Sequence, residues 1–200
     1  MKFELRGVRL EIGFPFAAAV TLLLLLDRNK TVLPALSCCV IHETGHLVCL
    51  FCLESPPRAV VFGVFGMRIE RETDKLDYRR EALCAAAGPM ANFACAVISL
   101  PFAAWNRSVL SFAALNVGVG IFNLLPVEPM DGAGVIGNLL LMYFDDEKTE
   151  RMLNIVTAVL LLPLTVCGTA LLFKSGGNFT LLAVSVYIAL YLILKKRTAR

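Results

Sequence analysis

The chain contains two histidines, His42 and His46, and both fall in the run His42-Glu43-Thr44-Gly45-His46. On a helix, positions i and i+4 share a face, so both imidazoles can grip one metal ion. Glu43 lies about 100° around from His42, beside that face, where it reaches a water on the metal rather than the metal itself. This is hydrolytic chemistry. Zinc lowers the pKa of such a water towards ~7, and the carboxylate takes its proton as the water attacks a carbonyl. HExxH also arises by chance in unrelated soluble helices, but the setting here is different. Glu43 is the sole formal charge in residues 31–53. A carboxylate near mid-bilayer costs at least ~2.5–3.5 kcal/mol on insertion scales, so such residues face polar cavities and do work. The competing explanation is a polar cluster that packs helices, or an interfacial segment that does not span.

A catalytic zinc needs three protein ligands and one open position. The candidates for the third are Glu128 and Asp131, in Asn123-Leu124-Leu125-Pro126-Val127-Glu128-Pro129-Met130-Asp131-Gly132. Pro126 and Pro129 cannot both sit inside a regular helix, so the chain must break there. Non-helical backbone at membrane depth is tolerated only inside protein or along a wet cavity. Such a break could deliver a carboxylate to a buried metal, or it could be a kinked helix end with both acids at the interface. Position alone does not choose between the two acids.

The elements that must hold these residues follow from composition and charge placement. The 200 residues are 58% hydrophobic and 18% charged, with a mean hydropathy of +0.72. Soluble domains carry roughly 45–50% apolar and about 25% charged residues. Disorder, collagen-like repeats and secreted disulfide scaffolds are excluded, and a net charge of +3 gives no sign of a nucleic-acid partner. Residues 12–26, 82–106, 152–173 and 175–194 carry no charge, 31–53 carry one and 108–144 carry two. A span needs about 20 apolar residues. The pattern predicts an all-α polytopic membrane protein with about six transmembrane helices, of which 12–26 is the shortest.

With six spans, one set of loops and both termini hold 15 Lys and Arg against 4 on the other side. That asymmetry puts both termini and the 54–81 loop in the cytoplasm. Asp27-Arg28-Asn29-Lys30 follows the first apolar run without a small-residue cleavage site, so residues 1–30 read as an uncleaved signal-anchor span. The core is then 31–144, and 145–200 supply two further spans with a basic tail. Lys195, Lys196, Arg197 and Arg200 anchor that tail against anionic headgroups. Ala59–Phe62, Gly63, Gly66 and Met67–Glu70 predict a small β-hairpin near 58–71 at the membrane surface. It either caps the helices or offers an edge to an extended substrate segment. The charged tracts 70–81 and 145–151 read as solvated faces. The seven cysteines all lie in apolar stretches and read as small hydrophobes; Cys49-x-x-Cys52 lacks a second pair.

Three motifs in order give a specific resemblance. HETGH, Gly88-Pro89-Met90-Ala91-Asn92 and NLLPVEPMDG fall in successive apolar stretches and resemble the HExxH, G-P-x-x-N and N-x-x-P-x-x-x-x-D-G signatures of the site-2 protease family of intramembrane zinc metalloproteases. The resemblance covers about residues 31–144. It implies one Zn2+ per chain held by His42, His46 and Asp131, with Glu43 as catalytic acid/base and Glu128 a variable position. Asn92 would line the cleft, positioning substrate or stabilising the oxyanion, with Asn123 as a companion. Many members follow Asp-Gly with Gly and Arg, whereas Ala133 and Gly134 stand here, which removes any basic contact at that point but leaves the metal site intact.

The expected activity is regulated intramembrane proteolysis of a substrate with a transmembrane or membrane-associated segment. The expected location is the bacterial inner membrane, with the lipid bilayer and membrane-protein regulators as further partners. The compact form, without a PDZ-like insert between the motifs, resembles the family's sporulation branch (the stage IV factor FB type). That branch cleaves a sigma-factor precursor and often carries a C-terminal nucleotide-sensing domain, which is missing after residue 194; an anti-sigma factor is the other substrate class. From other classes come a membrane zinc transporter or sensor using the same ligands, and a pseudoprotease that binds transmembrane helices. Transport would favour further polar residues along a path, and a binder needs no general base.

Overall fold

The computed structural model describes residues 2–5, 8–28, 30–63, 66–71, 76–174 and 180–198. The tip of the expected hairpin (64–65), the centre of the charged tract (72–75), the start of the last apolar stretch (175–179) and Arg200 lie outside the described residues. The chain divides into two compact units, Met1–Phe122 and Asn123–Arg200.

The first unit opens with strands β1 (Lys2–Leu5) and β2 (Val8–Ile12), followed by helix α1 (Phe14–Leu26) and helix α2 (Val32–Cys52). Strands β3 (Ala59–Gly63) and β4 (Gly66–Glu70) come next, then helix α3 (Tyr78–Ser99), a 3-10 turn at Leu100–Ala104 and helix α4 (Arg107–Asn123). The hairpin expected near 58–71 is present as β3 and β4, paired antiparallel with Val61 opposite Arg68. It is half of a larger sheet in the order β1-β2-β3-β4, in which β2 runs parallel to β3 with Leu10 opposite Val60. Residues 1–30, expected as a signal-anchor span, thus open with two strands. Phe3 and Leu5, then Val8, Leu10 and Ile12, recur at period two, the spacing of a half-buried strand.

Gly13 continues the sheet into α1, donating its N–H to the Phe62 carbonyl at 3.0 Å, and the Phe16 and Phe62 rings meet at a tilt of 39° with centroids 5.5 Å apart. The start of α2 is capped from outside the helix. The Asp27 carboxylate accepts from the backbone N–H groups of Thr31 (3.1 Å) and Val32 (2.8 Å), two donors that no helical carbonyl can reach.

The second unit holds helices α5 (Asp131–Leu140), α6 (Asp146–Lys174) and α7 (Thr180–Thr198). Pro126 and Pro129 break the 108–144 stretch as expected: α4 ends at Asn123 and α5 starts at Asp131. Gly168 brings α6 and α7 close, since a Cβ there would lie 2.9 Å from the Leu182 nitrogen. Leu153, Thr157, Ser185 and Ile188 are buried in this unit.

This is a membrane protein by its apolar helices. Among the described residues, Val32–Cys52, Tyr78–Ala104 and Asp146–Lys174 are long and apolar enough to cross a bilayer, while Phe14–Leu26 and Leu181–Lys195 are apolar but shorter. Of the six expected spans, three therefore meet that length among the described residues. The 13 residues of α1 reach only about 20 Å at 1.5 Å per residue, against a hydrocarbon core of ~30 Å. Leu25, Leu162 and Phe173 are among many exposed large apolar side chains, as expected where the solvent is lipid.

Because β3 is paired on both sides, each of its N–H groups faces a partner strand. Val60→Pro must therefore remove a ladder bond. The variant should keep its helical circular dichroism but be cut faster by trypsin at Arg58 and Arg71 in the purified protein. Unchanged cleavage would mean the sheet does not hold this segment.

Candidate metal centre

The face that α2 buries is a stripe four residues apart: Cys38, His42, His46 and Leu50. Opposite it, α3 buries Cys84, Gly88, Asn92 and Ala96 at the same spacing. The two helices approach closely because the contact is lined by small residues. A Cβ on Gly45 would meet the Ala87 carbonyl oxygen at 2.5 Å and the Ala91 Cβ at 2.7 Å. A Cβ on Gly88 would overlap the His46 ring and lie 2.8 Å from His42 Cε1. Gly88 is thus the floor on which both imidazoles rest. Pro89 has no N–H to give the carbonyl four residues earlier, which loosens the helix next to the turn where Cys84 turns its carbonyl towards His46.

The ring orientations follow from a chain of hydrogen bonds with one consistent direction. On α4, Asn116 Nδ2 donates to the Phe112 carbonyl at 3.0 Å, so its Oδ1 is the atom facing α3. Asn92 Nδ2 donates to that Oδ1 at 2.9 Å and to the Cys38 carbonyl at 3.0 Å. Asn92 Oδ1 therefore faces His42, and His42 Nδ1–H donates to it at 2.9 Å. His46 Nδ1–H donates to the Cys84 carbonyl at 2.8 Å, and a carbonyl can only accept. Each proton sits on Nδ1, so each Nε2 presents a lone pair.

The two Nε2 atoms are 3.2 Å apart, with the rings edge to face at 81°. With both protons committed elsewhere, that approach is not a hydrogen bond. Ligands held ~2.0–2.1 Å from one tetrahedral ion lie about 3.3 Å apart, so the separation suits two histidine ligands of one zinc. Orientation of a ligating histidine through its other nitrogen is the usual outer-shell arrangement.

The other expected site residues fall as follows. Glu43 is half-buried on α2, next to His42 in sequence and off the stripe that α3 covers. Asn92 is 0% exposed, and both its N–H donors are used within the protein. Asn123 is the last residue of α4 and is half-buried. Asp131 is the first residue of α5 after Met130 as N-cap, a position where the helix dipole favours a carboxylate. Its neighbour Gly132 is needed for space, because a Cβ there would overlap the Leu124 carbonyl. His42, His46 and Asp131 form a group that could hold a metal ion. Glu128, the other acid left open by the sequence, has its carboxylate on Lys195 instead.

Sequence reasoning missed Asn116, which is also 0% exposed. The signal was available: an amide in the middle of an otherwise apolar helix demands a partner as Glu43 does. The Cys84 contribution could not be read, because it comes from a backbone carbonyl.

No family model matches the chain. It is 28% identical over 178 residues to Stage IV sporulation protein FB of Bacillus subtilis (strain 168). That alignment takes in 82% of this chain and 60% of the relative, so the chain spans less than two thirds of the relative's length. Among solved structures, the Site-2 Protease from Methanocaldococcus jannaschii superposes with a TM-score of 0.69 at 19% identity, over 97% of this chain and 94% of that one. The fold is therefore the site-2 protease fold. The three motifs, the sporulation relative and the shared fold together make the chain similar to site-2 proteases.

Asn92→Ala should leave the protein membrane-inserted but weaken zinc binding on the order of 10–100-fold, the usual cost of losing an outer-shell partner. Asn116→Ala should weaken it less, since Asn92 keeps the Cys38 carbonyl. Chelator competition on the purified protein measures both, and wild-type affinity in Asn92→Ala would contradict the relay.

Proposed function

We propose that the chain is a zinc-dependent intramembrane endopeptidase that hydrolyses a peptide bond within or next to a transmembrane segment of another membrane protein. The observation that carries this is the pair of imidazoles on an apolar helix, each with its proton held on Nδ1 and its Nε2 turned towards the other. The ligand set is His42, His46 and Asp131, with one Zn2+ per chain. When bound by these residues, zinc would supply Lewis-acid activation of the scissile carbonyl and of an attacking water. Glu43 is the base that takes the water's proton and then returns it to the leaving nitrogen.

Asn92 acts on His42, because its amide is spent inside the protein. Asn123, at the end of α4, is its companion in positioning the substrate or stabilising the developing oxyanion. Peptide bonds in a transmembrane helix are shielded by their own hydrogen bonds, so the substrate must be drawn out before cleavage. The outer edges of β1 and β4 are suited to hold an extended segment by main-chain pairing.

The likeness to a sporulation protein supports regulated intramembrane proteolysis at the bacterial inner membrane, with a sigma-factor precursor or an anti-sigma factor as the substrate class. The loop charges favour cytoplasmic termini.

Glu43→Gln should lower cleavage of a co-reconstituted membrane substrate by roughly 10²–10⁴-fold, the usual contribution of a general base. The variant should bind zinc as the wild type does. Cleavage retained in Glu43→Gln would overturn the assignment.

A further inference from the structure

The segment that delivers Asp131 is fastened at one residue, Glu128, by two different means. Its backbone N–H donates to Thr157 Oγ1 on α6 at 3.1 Å, and Thr157 is fully buried. Its carboxylate accepts from Lys195 Nζ on α7 through both oxygens, at 3.0 and 2.9 Å. The same ammonium group is 3.2 Å from Glu150 Oε1 on α6. The Glu128 side chain is 14% exposed and that of Lys195 is 29% exposed. Solvated ion pairs hold little, but one shielded from water is costly to break from one side.

Little slack separates this anchor from the metal ligand. Pro129, with its φ fixed by the ring, and Met130 are the two residues between Glu128 and Asp131. The Met130 N–H donates to the Val127 carbonyl at 2.8 Å, closing the turn. Beyond Asp131, Gly132 is seated against the Leu124 carbonyl. A shift at Glu128 therefore has no flexible stretch in which to dissipate before it reaches Asp131.

We propose that Lys195 and Glu128 form a positioning strap, by which the C-terminal helix α7 sets the geometry of the loop that presents Asp131 to the metal. The inference rests on the metalloprotease function above and extends it to residues that touch neither metal nor substrate. Both are positioning residues. The last helix of the chain thereby becomes part of the site's support, although it carries none of its ligands.

The test uses the full chain in nanodiscs, with zinc affinity measured by chelator competition and the cobalt-substituted protein measured by visible absorption. Lys195→Met and Glu128→Gln should each weaken zinc binding about tenfold or more and alter the cobalt spectrum. The double variant should be no worse than the weaker single variant, because the two residues act as one unit. Lys195→Arg, which keeps the charge and the carboxylate contact, should restore both readouts. If Lys195→Met does not reach the membrane, Thr157→Val removes only the main-chain anchor and carries the same expectation. Strap variants with wild-type affinity and spectrum would overturn the proposal while leaving the function standing. A wild-type protein that takes up no zinc, or an Asp131→Asn protein that binds it undiminished, would overturn the function itself, and the strap with it.

Discussion

Two imidazoles can serve one ion only when each carries its proton on the nitrogen turned away from it, and in this chain buried acceptors enforce that state. His42 gives its Nδ1 proton to Asn92 and His46 gives its own to the Cys84 carbonyl. Neither acceptor is adjustable. The Asn92 amide is oriented by Cys38 and Asn116, and a backbone carbonyl has no alternative role. The tautomers are thus fixed by the protein before any ligand arrives, which is what preorganisation means for a metal centre. Much of the first unit can be derived from this requirement. Helix α3 must lie close enough for its side chain and its backbone both to reach α2, so the contact is built from glycine and alanine.

The cost of such a network is borne by its completeness. In an apolar surrounding an amide without partners is expensive, and a half-satisfied polar cluster is worse than none. Asn92 spends both amide N–H groups on acceptors within the first unit, and Asn116 gives one N–H to Phe112 and its oxygen to Asn92, which is why residues so polar can be fully buried in apolar helices. The same rule governs the broken stretch between α4 and α5. Backbone that is not helical has to be satisfied locally at membrane depth. Here Val127 donates to the Leu125 carbonyl, Met130 to the Val127 carbonyl and Glu128 to a buried threonine. The prolines that break the helix also remove two N–H groups that would otherwise need partners.

Much of this was legible in the sequence, and the exceptions have physical reasons. HETGH, the lone carboxylate of its apolar stretch, the interruption at Pro126 and Pro129 and the hairpin near 58–71 could all be read, because each is a local departure from its surroundings. The choice between Glu128 and Asp131 rested on the resemblance, because position alone does not make it and the Lys195 that holds Glu128 lies 67 residues further along the chain. The first strand pair was hidden by its charges. Lys2, Glu4, Arg9 and Glu11 look like flanking polarity, although their alternation with apolar residues is the strand signal. The limits of each span were hidden for a related reason, since charge-free length does not show where a helix starts or breaks. The role of Gly88 was concealed as well, because a missing side chain has meaning only once the rings it makes room for are in place.

The central claim is that two imidazoles and one carboxylate, and none of the seven cysteines, form the metal centre. X-ray absorption at the zinc edge of the purified, zinc-loaded protein tests this most directly, since nitrogen and oxygen ligands at ~2.0–2.2 Å are readily told from sulfur at ~2.3 Å. The expected spectrum shows two imidazoles by their outer-ring scattering, a first shell completed by oxygen, and no sulfur. A sulfur shell, or a single imidazole, would contradict the site from which the rest has been derived.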